Sequence, residues 1–172
     1  MKLLPGRSVT NDLFVGKYEA IEFPIVFKQV SGAKLEDMLD TGTVALHLIS
    51  KKFRELLEQT GLTGWKTFEI KIVGKSGIEL NDYYGLTITG HCGKIDESKS
   101  EIIRKQCVPN GPLAEYRKGL YVGLDEWDGS DLFCPDGTSF LITTKKATDI
   151  IKANKISNVE FKNLADIESM VY

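Results

Sequence analysis

The feature that most constrains the fold of this chain is a weak internal repeat. Residues 42–52 resemble residues 137–146 once one residue is dropped from the comparison, and Leu62-Thr63-Gly64 corresponds in character to Ile156-Ser157-Asn158. Self-similarity at a fixed spacing is typical of a supersecondary unit that occurs twice. The sequence therefore predicts two similar units, over about residues 42–72 and 137–164.

The first unit has the pattern of a strand, a helix and a second strand. Residues 44–49 are mostly apolar and partly β-branched, as in a buried strand. Ser50 stands where an N-cap belongs, and residues 51–60 predict a helix that Gly61 can end. In residues 65–72, apolar and polar side chains alternate, which predicts one half-buried strand.

The second unit repeats this pattern with different residues. Residues 139–143 predict a strand, Thr144 an N-cap, residues 145–154 a helix and residues 159–164 a closing strand. If the two strands of a unit are parallel neighbours, the crossover between them should be right-handed. Whether the two units share one sheet is left open by the sequence.

The rest of the chain is rich in strand patterns and in turns. Residues 12–18, 22–30 and 83–89 predict further strands, whereas residues 125–137 predict a loop rich in Asp and Gly. No linker or low-complexity segment divides the 172 residues. We therefore expect an α+β fold: a single domain, residues 1–172, with two similar strand–helix–strand units and additional mostly antiparallel strands.

Composition excludes several classes of partner and cofactor. The formal net charge is −2 and the pI is near 5.8, whereas binding to nucleic-acid phosphates requires a basic face. No apolar run approaches the roughly 20 residues of a transmembrane helix. The three cysteines are odd in number and widely spaced, which favours reduced thiols in the cytoplasm over a disulfide framework or a zinc site. We expect no cofactor, no metal, no nucleic acid and no membrane.

Candidate catalytic residues are few. His91 and Cys92 are adjacent, and neighbouring side chains of an extended segment point in opposite directions, so they do not form a nucleophile–base pair. His91 could still meet Cys107 or Cys134 through the fold. His47 lies in a strand pattern and is interpreted as a structural histidine. We therefore predict no catalytic residues, with a small enzyme built around His91 as an alternative.

One acidic stretch is the main candidate for a binding site. It contains four acids around one tryptophan, and its members are Asp125, Glu126, Trp127, Asp128 and Asp131. The oxygen spacing does not match an EF-hand calcium loop, and a solvated turn is the plainest interpretation. A docking loop is the functional one, because tryptophan is a frequent interface anchor and the surrounding acids would attract a basic partner.

Three segments resemble a bacterial family. They are Ile95-Asp96-Glu97-Ser98-Lys99-Ser100-Glu101 after the Tyr83-Tyr84 strand, Leu132-Phe133 beyond the acidic stretch, and Ile156-Ser157-Asn158-Val159-Glu160-Phe161 near the end. Together with Leu62-Thr63-Gly64-Trp65, they resemble immunity family eleven of the polymorphic toxin systems, mainly over residues 80–165. The sequence departs from the family pattern at Asn158, where the family has glycine, and at Cys134-Pro135.

The resemblance implies a protein-binding function and no catalytic residues. We expect a non-catalytic, cytoplasmic immunity protein that inhibits a basic bacterial toxin by direct binding. Two alternatives from other classes remain: a small enzyme or ligand-binding protein, and a structural module that oligomerises through an exposed sheet edge.

Overall fold

In the part of the chain that the structure describes, short strands form four small sheets, and two helices accompany them. The computed structural model describes residues 2–3, 24–32, 34–41 and 46–171. The strands are β1 (Lys2–Leu3), β2 (Ile25–Lys28), β3 (Met38–Asp40), β4 (His47–Ser50), β5 (Trp65–Phe68), β6 (Ile70–Val73), β7 (Glu79–Leu80), β8 (Tyr83–Ile88), β9 (Gly90–Cys92), β10 (Glu101–Gln106), β11 (Leu113–Lys118), β12 (Leu132–Pro135), β13 (Ile142–Thr143) and β14 (Glu168–Met170). The helices are α1 (Lys51–Gln59) and α2 (Lys145–Ala153).

The sheets are mostly antiparallel, and the chain passes directly from one to another. Their strand orders are β1-β2-β6-β7, β3-β4-β8-β5, β13-β12-β9 and β10-β11-β14. The two parallel pairs are β2 with β6 and β9 with β12. Between β5 and β6 only Glu69 intervenes, and between β8 and β9 only Thr89. One continuous stretch of chain thus contributes to two sheets, which places the sheets around shared cores.

The two helices begin with the same cap. The Ser50 hydroxyl accepts a hydrogen bond from the Phe53 N–H, and the Thr144 hydroxyl accepts one from the Ala147 N–H. Each cap satisfies one of the four N–H groups that a helix start leaves without an intrahelical partner. Both predicted N-caps are therefore confirmed, and the helices end within a residue of the predicted positions.

The helices share the largest core. Phe53 and Leu57 of α1 and Ala147 and Ile151 of α2 are buried in one cluster that also contains Leu132 of β12. A second core lies between β2, β3, β4 and β6, and a third surrounds Cys92, Leu120, Phe133 and Ile142. The α+β class and the antiparallel bias predicted from the sequence are confirmed.

Several sequence-based element assignments were wrong. The half-buried strand predicted at 65–72 is two strands that belong to different sheets, and the closing strand predicted at 159–164 is not a strand. Within the predicted loop at 125–137, residues 132–135 form β12, the central strand of its sheet. β4 and β5 run in the same direction, but each pairs with β8, which lies between them, so they are not parallel neighbours.

The structure does not describe every residue on which a prediction was made, and two predictions are affected. Residues 12–18, predicted as a strand, lie outside it. Among the described residues, no helix combines the length and the apolar character needed to span a bilayer.

Candidate functional site

The acidic stretch forms a loop that is held against β9. A single 3-10 turn, Leu124–Glu126, follows Gly123, whose N–H donates to the Lys94 carbonyl at 3.2 Å. Beyond the turn, the Asp128 N–H donates to the His91 carbonyl at 3.2 Å, and the His91 N–H donates to the Asp128 carboxylate at 3.2 Å. These bonds to the backbone of β9 and the residues after it fix the course of the loop.

Trp127 is anchored on one side and open on the other. Its indole N–H donates to the Ser130 carbonyl at 3.2 Å, and its ring lies 5.6 Å from the buried ring of Phe133, at 46°. The residue nevertheless keeps 37% of its surface exposed, and neighbouring Leu124 keeps 60%. An aromatic side chain fixed by its polar end, with free apolar surface, is suited to contact a partner.

The stretch of chain that contains Trp127 carries charged side chains of one sign. From Gly119 to Thr144 the chain carries five acids and neither Lys nor Arg. Asp125 and Glu126 are exposed. Asp136 is also exposed, directly after β12, and sequence reasoning missed it. Because β9 and β12 are parallel, the chain beyond both strands lies at the same end of the sheet, and this pairing was the missing signal.

Asp136 and Asp128 both act on the same buried thiol. Burial raises the pKa of Cys92, and the charges of Asp136 and Asp128 raise it further. The His91 N–H donates to the Asp128 carboxylate, and the Asp136 N–H donates to the Cys92 carbonyl at 3.2 Å, so both residues lie close to the end of β9. We call Asp125, Glu126, Trp127, Asp128 and Asp136 the acidic surface.

Asp131 differs from the other predicted contact residues, because its side chain is only 11% exposed. The carboxylate accepts hydrogen bonds from the Thr144 hydroxyl at 3.0 Å, from the Thr63 N–H at 3.2 Å and from the Lys146 ammonium at 3.2 Å. It thus joins the start of α2 to the turn after α1. This position gives Asp131 a structural role, and we do not include it in the acidic surface.

Asp37 is the counterpart of Asp131 and makes the same kinds of contact. Its carboxylate accepts from the Ser50 hydroxyl at 2.8 Å, from the Ser157 N–H at 2.9 Å and from the Lys52 ammonium at 3.2 Å. Each residue of one set lies 94 positions from its counterpart, as 131 does from 37, 144 from 50 and 157 from 63. The sequence comparison did not select Asp37, which lies before residue 42.

The two aspartates connect the units reciprocally. Asp37 directly precedes β3 and binds Ser157, in the turn after α2, whereas Asp131 directly precedes β12 and binds Thr63, in the turn after α1. The backbone follows the same scheme, since the Met38 N–H donates to the Ser157 carbonyl and the Leu132 N–H to the Thr63 carbonyl. The turn after each helix is therefore hydrogen-bonded to the strand that precedes the other helix's unit, through the aspartate and the residue that follows it.

A protein-family model matches residues 6–166, nearly the whole chain, and its description is Immunity protein family (Imm11). The chain belongs to this family. The resemblance inferred from residues 80–165 is thus confirmed, and it extends over both units of the fold. Comparison with curated proteins gives no match. Immunity proteins are generally non-catalytic, which agrees with the expectation drawn from the sequence.

In this Imm11 protein, β9 and β12 bring His91 opposite Cys134. Burial, with a smaller effect of Cys92, raises the pKa of the Cys134 thiol to about 11. At neutral pH the thiol is therefore protonated and a poor nucleophile. His91 is 62% exposed, and its Nε2 atom lies 4.0 Å from an Asp128 oxygen. Among the described residues of the chain, no group of three His, Cys, Asp or Glu could hold a metal ion.

His47 and Cys107, which were also considered as catalytic or structural residues, lie apart from His91 and Cys134. Burial lowers the pKa of His47, and the nearby charge of Asp40 opposes the effect, so the imidazole is neutral at physiological pH. Cys107 is exposed at the end of the β10–β11 hairpin, where its sulfur accepts a hydrogen bond from the Tyr116 hydroxyl at 3.3 Å.

The stability of the Imm11 fold should depend on pH through Asp131. Burial raises the pKa of this carboxyl, but hydrogen bonds from Lys146, Thr144 and the Thr63 N–H outweigh it, and the pKa lies below the ordinary 3.8. A group with a lowered folded-state pKa stabilises the fold above its unfolded-state pKa, and this contribution disappears as the pH falls through the folded-state value. The same holds for Asp37, whose lowered pKa has similar causes.

We therefore expect the stability difference between the wild type and Asp131→Asn to be constant from pH 7 to about pH 5 and to shrink below about pH 4. Urea unfolding of both proteins at four pH values measures it. A difference that stays the same at pH 3 would contradict the assigned ionisation of Asp131.

Proposed function

We propose that this protein is a cytoplasmic immunity protein that inhibits a basic bacterial toxin by binding it with the acidic surface. Membership of the Imm11 family supports the inhibitory role. The observation that carries the choice of surface is Trp127, which is fixed by Ser130 and Phe133 and remains exposed among acids.

The charge of this surface suits a basic partner. Asp125, Glu126 and Asp136 are exposed, and the surrounding stretch of chain has no cation to neutralise them. Toxins that act on nucleic acids present basic clefts, because their substrates are polyanions. An acidic surface would attract such a cleft, accelerate the encounter and compete with the substrate for the same charges.

The cytoplasmic location is part of the proposal. Cys92, Cys107 and Cys134 are free thiols in the structure, as expected for a reducing compartment. An immunity protein with this location meets a toxin that has entered the cell or that the cell itself produces.

The proposal is tested by capture followed by rescue of growth. The tagged chain is incubated with a lysate of the source bacterium at low salt, and the retained proteins are identified by mass spectrometry. Each candidate is then expressed in a test bacterium, alone and together with this chain. A retained basic protein that stops growth alone and is neutralised by co-expression would support the proposal. A chain that protects against none of the retained proteins would contradict it.

Trp127→Ala is expected to weaken binding of the captured toxin by about 2 kcal/mol or more, because the exposed face of the indole is the anchor of the acidic surface. Isothermal titration calorimetry measures the change. Ile78→Ala is the matched control, since Ile78 is equally apolar, 66% exposed and located in the turn before β7. Equal affinity of the Trp127 variant and the wild type would remove this loop from the interface.

The electrostatic part of the proposal has a separate test. Asp125→Lys with Glu126→Lys should slow association and remove most of its salt dependence, because rim charges act mainly on the encounter. Glu55→Lys with Glu160→Lys changes the net charge equally at exposed positions outside the acidic surface. If both double variants slow association to the same extent, net charge rather than the acidic surface directs the encounter.

A further inference from the structure

Among the described residues, the sheet β10-β11-β14 differs from the other three sheets because its strands contribute no side chain to a buried core. No residue of its strands belongs to a buried core cluster, and in β10 five of the six residues are exposed, with Ile103 half-buried. β10 and β11 pair along their whole length, from Glu101 opposite Lys118 to Gln106 opposite Leu113. A sheet of this kind is stable when another surface supplies the missing contacts.

β10 is also an edge strand. It is terminal in the order β10-β11-β14, and no other described strand pairs with its outer side. The outer row of N–H and C=O groups of a six-residue edge strand is a template for one more strand. The identity of that strand can be argued from the side chains of β10 itself.

We propose that β10 pairs with β10 of a second copy of this chain, antiparallel and centred on Ile103. The result is a two-fold symmetric dimer with one continuous six-stranded sheet. This inference is independent of toxin binding, since β10 does not overlap the acidic surface.

The two-fold axis restricts the register. An axis perpendicular to an antiparallel pair must place one residue opposite its own copy, since opposite side chains lie on the same face of the sheet. Centring on Arg104 or Lys105 would oppose two like charges. The remaining central choices are Ile102 and Ile103.

Ile103 gives the better match in charge. With this centre, Glu101 of each copy lies opposite Lys105 of the other, so two complementary charge pairs flank the axis. The Lys105 ammonium lies 4.4 Å from the centre of the Tyr116 ring and pairs with Glu168, yet its side chain remains 44% exposed. A centre at Ile102 leaves Glu101 opposite Ile103 instead.

Ile103 also gives the better match in packing. On its face of the sheet, Ile103 lies opposite Tyr116, and Tyr116 lies opposite Met170 of β14. Pairing at Ile103 joins these side chains to those of the second copy in one apolar row of six across the new sheet. The corresponding row through Ile102 continues into Arg117 and Ser169, which are polar. Charge and packing thus select the same register.

The first test is a charge exchange, measured as mass against concentration by sedimentation equilibrium. A one-strand interface is small, so wild type should pass from monomer to dimer between about 1 µM and about 1 mM. Glu101→Lys and Lys105→Glu should each raise the dimer dissociation constant about tenfold or more. Each substitution places like charges opposite each other at positions 101 and 105, on both sides of the two-fold axis. The double exchange, Glu101→Lys with Lys105→Glu, should restore dimerisation.

Restoration separates the dimer from contacts within one chain. In the double exchange, the new lysine at position 101 lies opposite Lys118, and the new glutamate at position 105 faces Glu168. Both contacts within the chain become repulsive, so the intramolecular effects of the two substitutions add, whereas their effects on the dimer cancel. Glu115→Lys, which changes a charge of β11 paired with Arg104, is the control for charge alone. A wild type that remains monomeric at about 1 mM, or a double exchange that dimerises no better than the single variants, would overturn the proposal.

The second test fixes the register. In a Cys107→Ser background, Ile103→Cys should form a disulfide between two copies on mild oxidation, because directly opposite residues have Cβ atoms about 5 Å apart. Ile102→Cys is the matched control, since its side chain lies on the other face and opposite position 104. A cross-linked peptide joining two copies of position 103 supports the proposal. Equal cross-linking of both variants would overturn the register.

Discussion

Replacement of Gly64 by alanine is expected to destabilise the fold by about 4 kcal/mol, the largest effect of any single substitution considered for this protein. Gly64 has φ +87°, and a Cβ at this position would overlap the Leu132 carbonyl oxygen and lie 2.6 Å from the Ser130 Cβ. The Gly64 carbonyl also accepts hydrogen bonds from the N–H groups of Thr89 and Gly90. Three segments of backbone meet here, so none can retreat without breaking a pairing.

Gly61→Ala is the matched control for this substitution. Gly61 also has positive φ, +63°, but a Cβ there would have no heavy atom within 4 Å. Its cost should be limited to the conformational strain of about 1 kcal/mol. Urea unfolding of the two variants measures the difference, which isolates the steric contact with β12. Equal losses for both variants would mean that the junction at Leu132 can relax and that only backbone strain matters.

Asp131→Ala should have the second largest effect, a loss of about 3 kcal/mol in the free energy of unfolding at pH 7. The substitution leaves the Thr63 N–H and the Thr144 hydroxyl without their acceptor and removes the ion pair with Lys146. Because the carboxylate joins the start of α2 to the turn after α1, the loss should affect the contact between the units. Differential scanning calorimetry and urea unfolding measure it.

Two further variants place this result in context. Asp37→Ala removes the equivalent contacts, and the Asp37 and Lys52 side chains, 15% and 56% exposed, are about as buried as those of Asp131 and Lys146, so we expect a loss close to that of Asp131→Ala. Asp149→Ala removes an exposed ion pair with Lys145 in α2 and should cost less than about 0.5 kcal/mol. If the loss for Asp131 is as small as that for Asp149, the reciprocal connection between the units does not contribute to stability.

These variants also bear on the proposed site. Asp131 was selected from the sequence together with Asp125, Glu126, Trp127 and Asp128, because all five belong to one acidic stretch. The tertiary structure places the Asp131 carboxylate at a junction between the units and leaves Asp125 and Glu126 exposed. If an Asp131 variant lost toxin binding, the loss could come from a destabilised fold as well as from a missing contact. For this reason the binding tests use Trp127, Asp125 and Glu126.

The elements that the sequence determined are those with local causes. The helices could be predicted within a residue, because Ser50 and Thr144 cap them through their own side chains and apolar residues recur at helical spacing. The turn that ends α1 was also predictable, because Gly61 can adopt positive φ without strain. Both segments carry these local signals, a hydroxyl N-cap followed by apolar residues at helical spacing, which is why the sequence predicts a repeated unit.

What only the tertiary structure decided depends on contacts between distant residues. The strand pattern at residues 65–72 gives no sign of the break at Glu69, where the chain leaves one sheet for another, because alternation is the same in both sheets. Asp37 and Asp136 have no local pattern that distinguishes them from solvated acids. Their roles arise because Ser157 lies beside the first, 120 residues away, and because β9 and β12 are parallel. Local side chains set helix ends and turns, whereas the pairing of distant strands determines which charges are buried and which remain exposed.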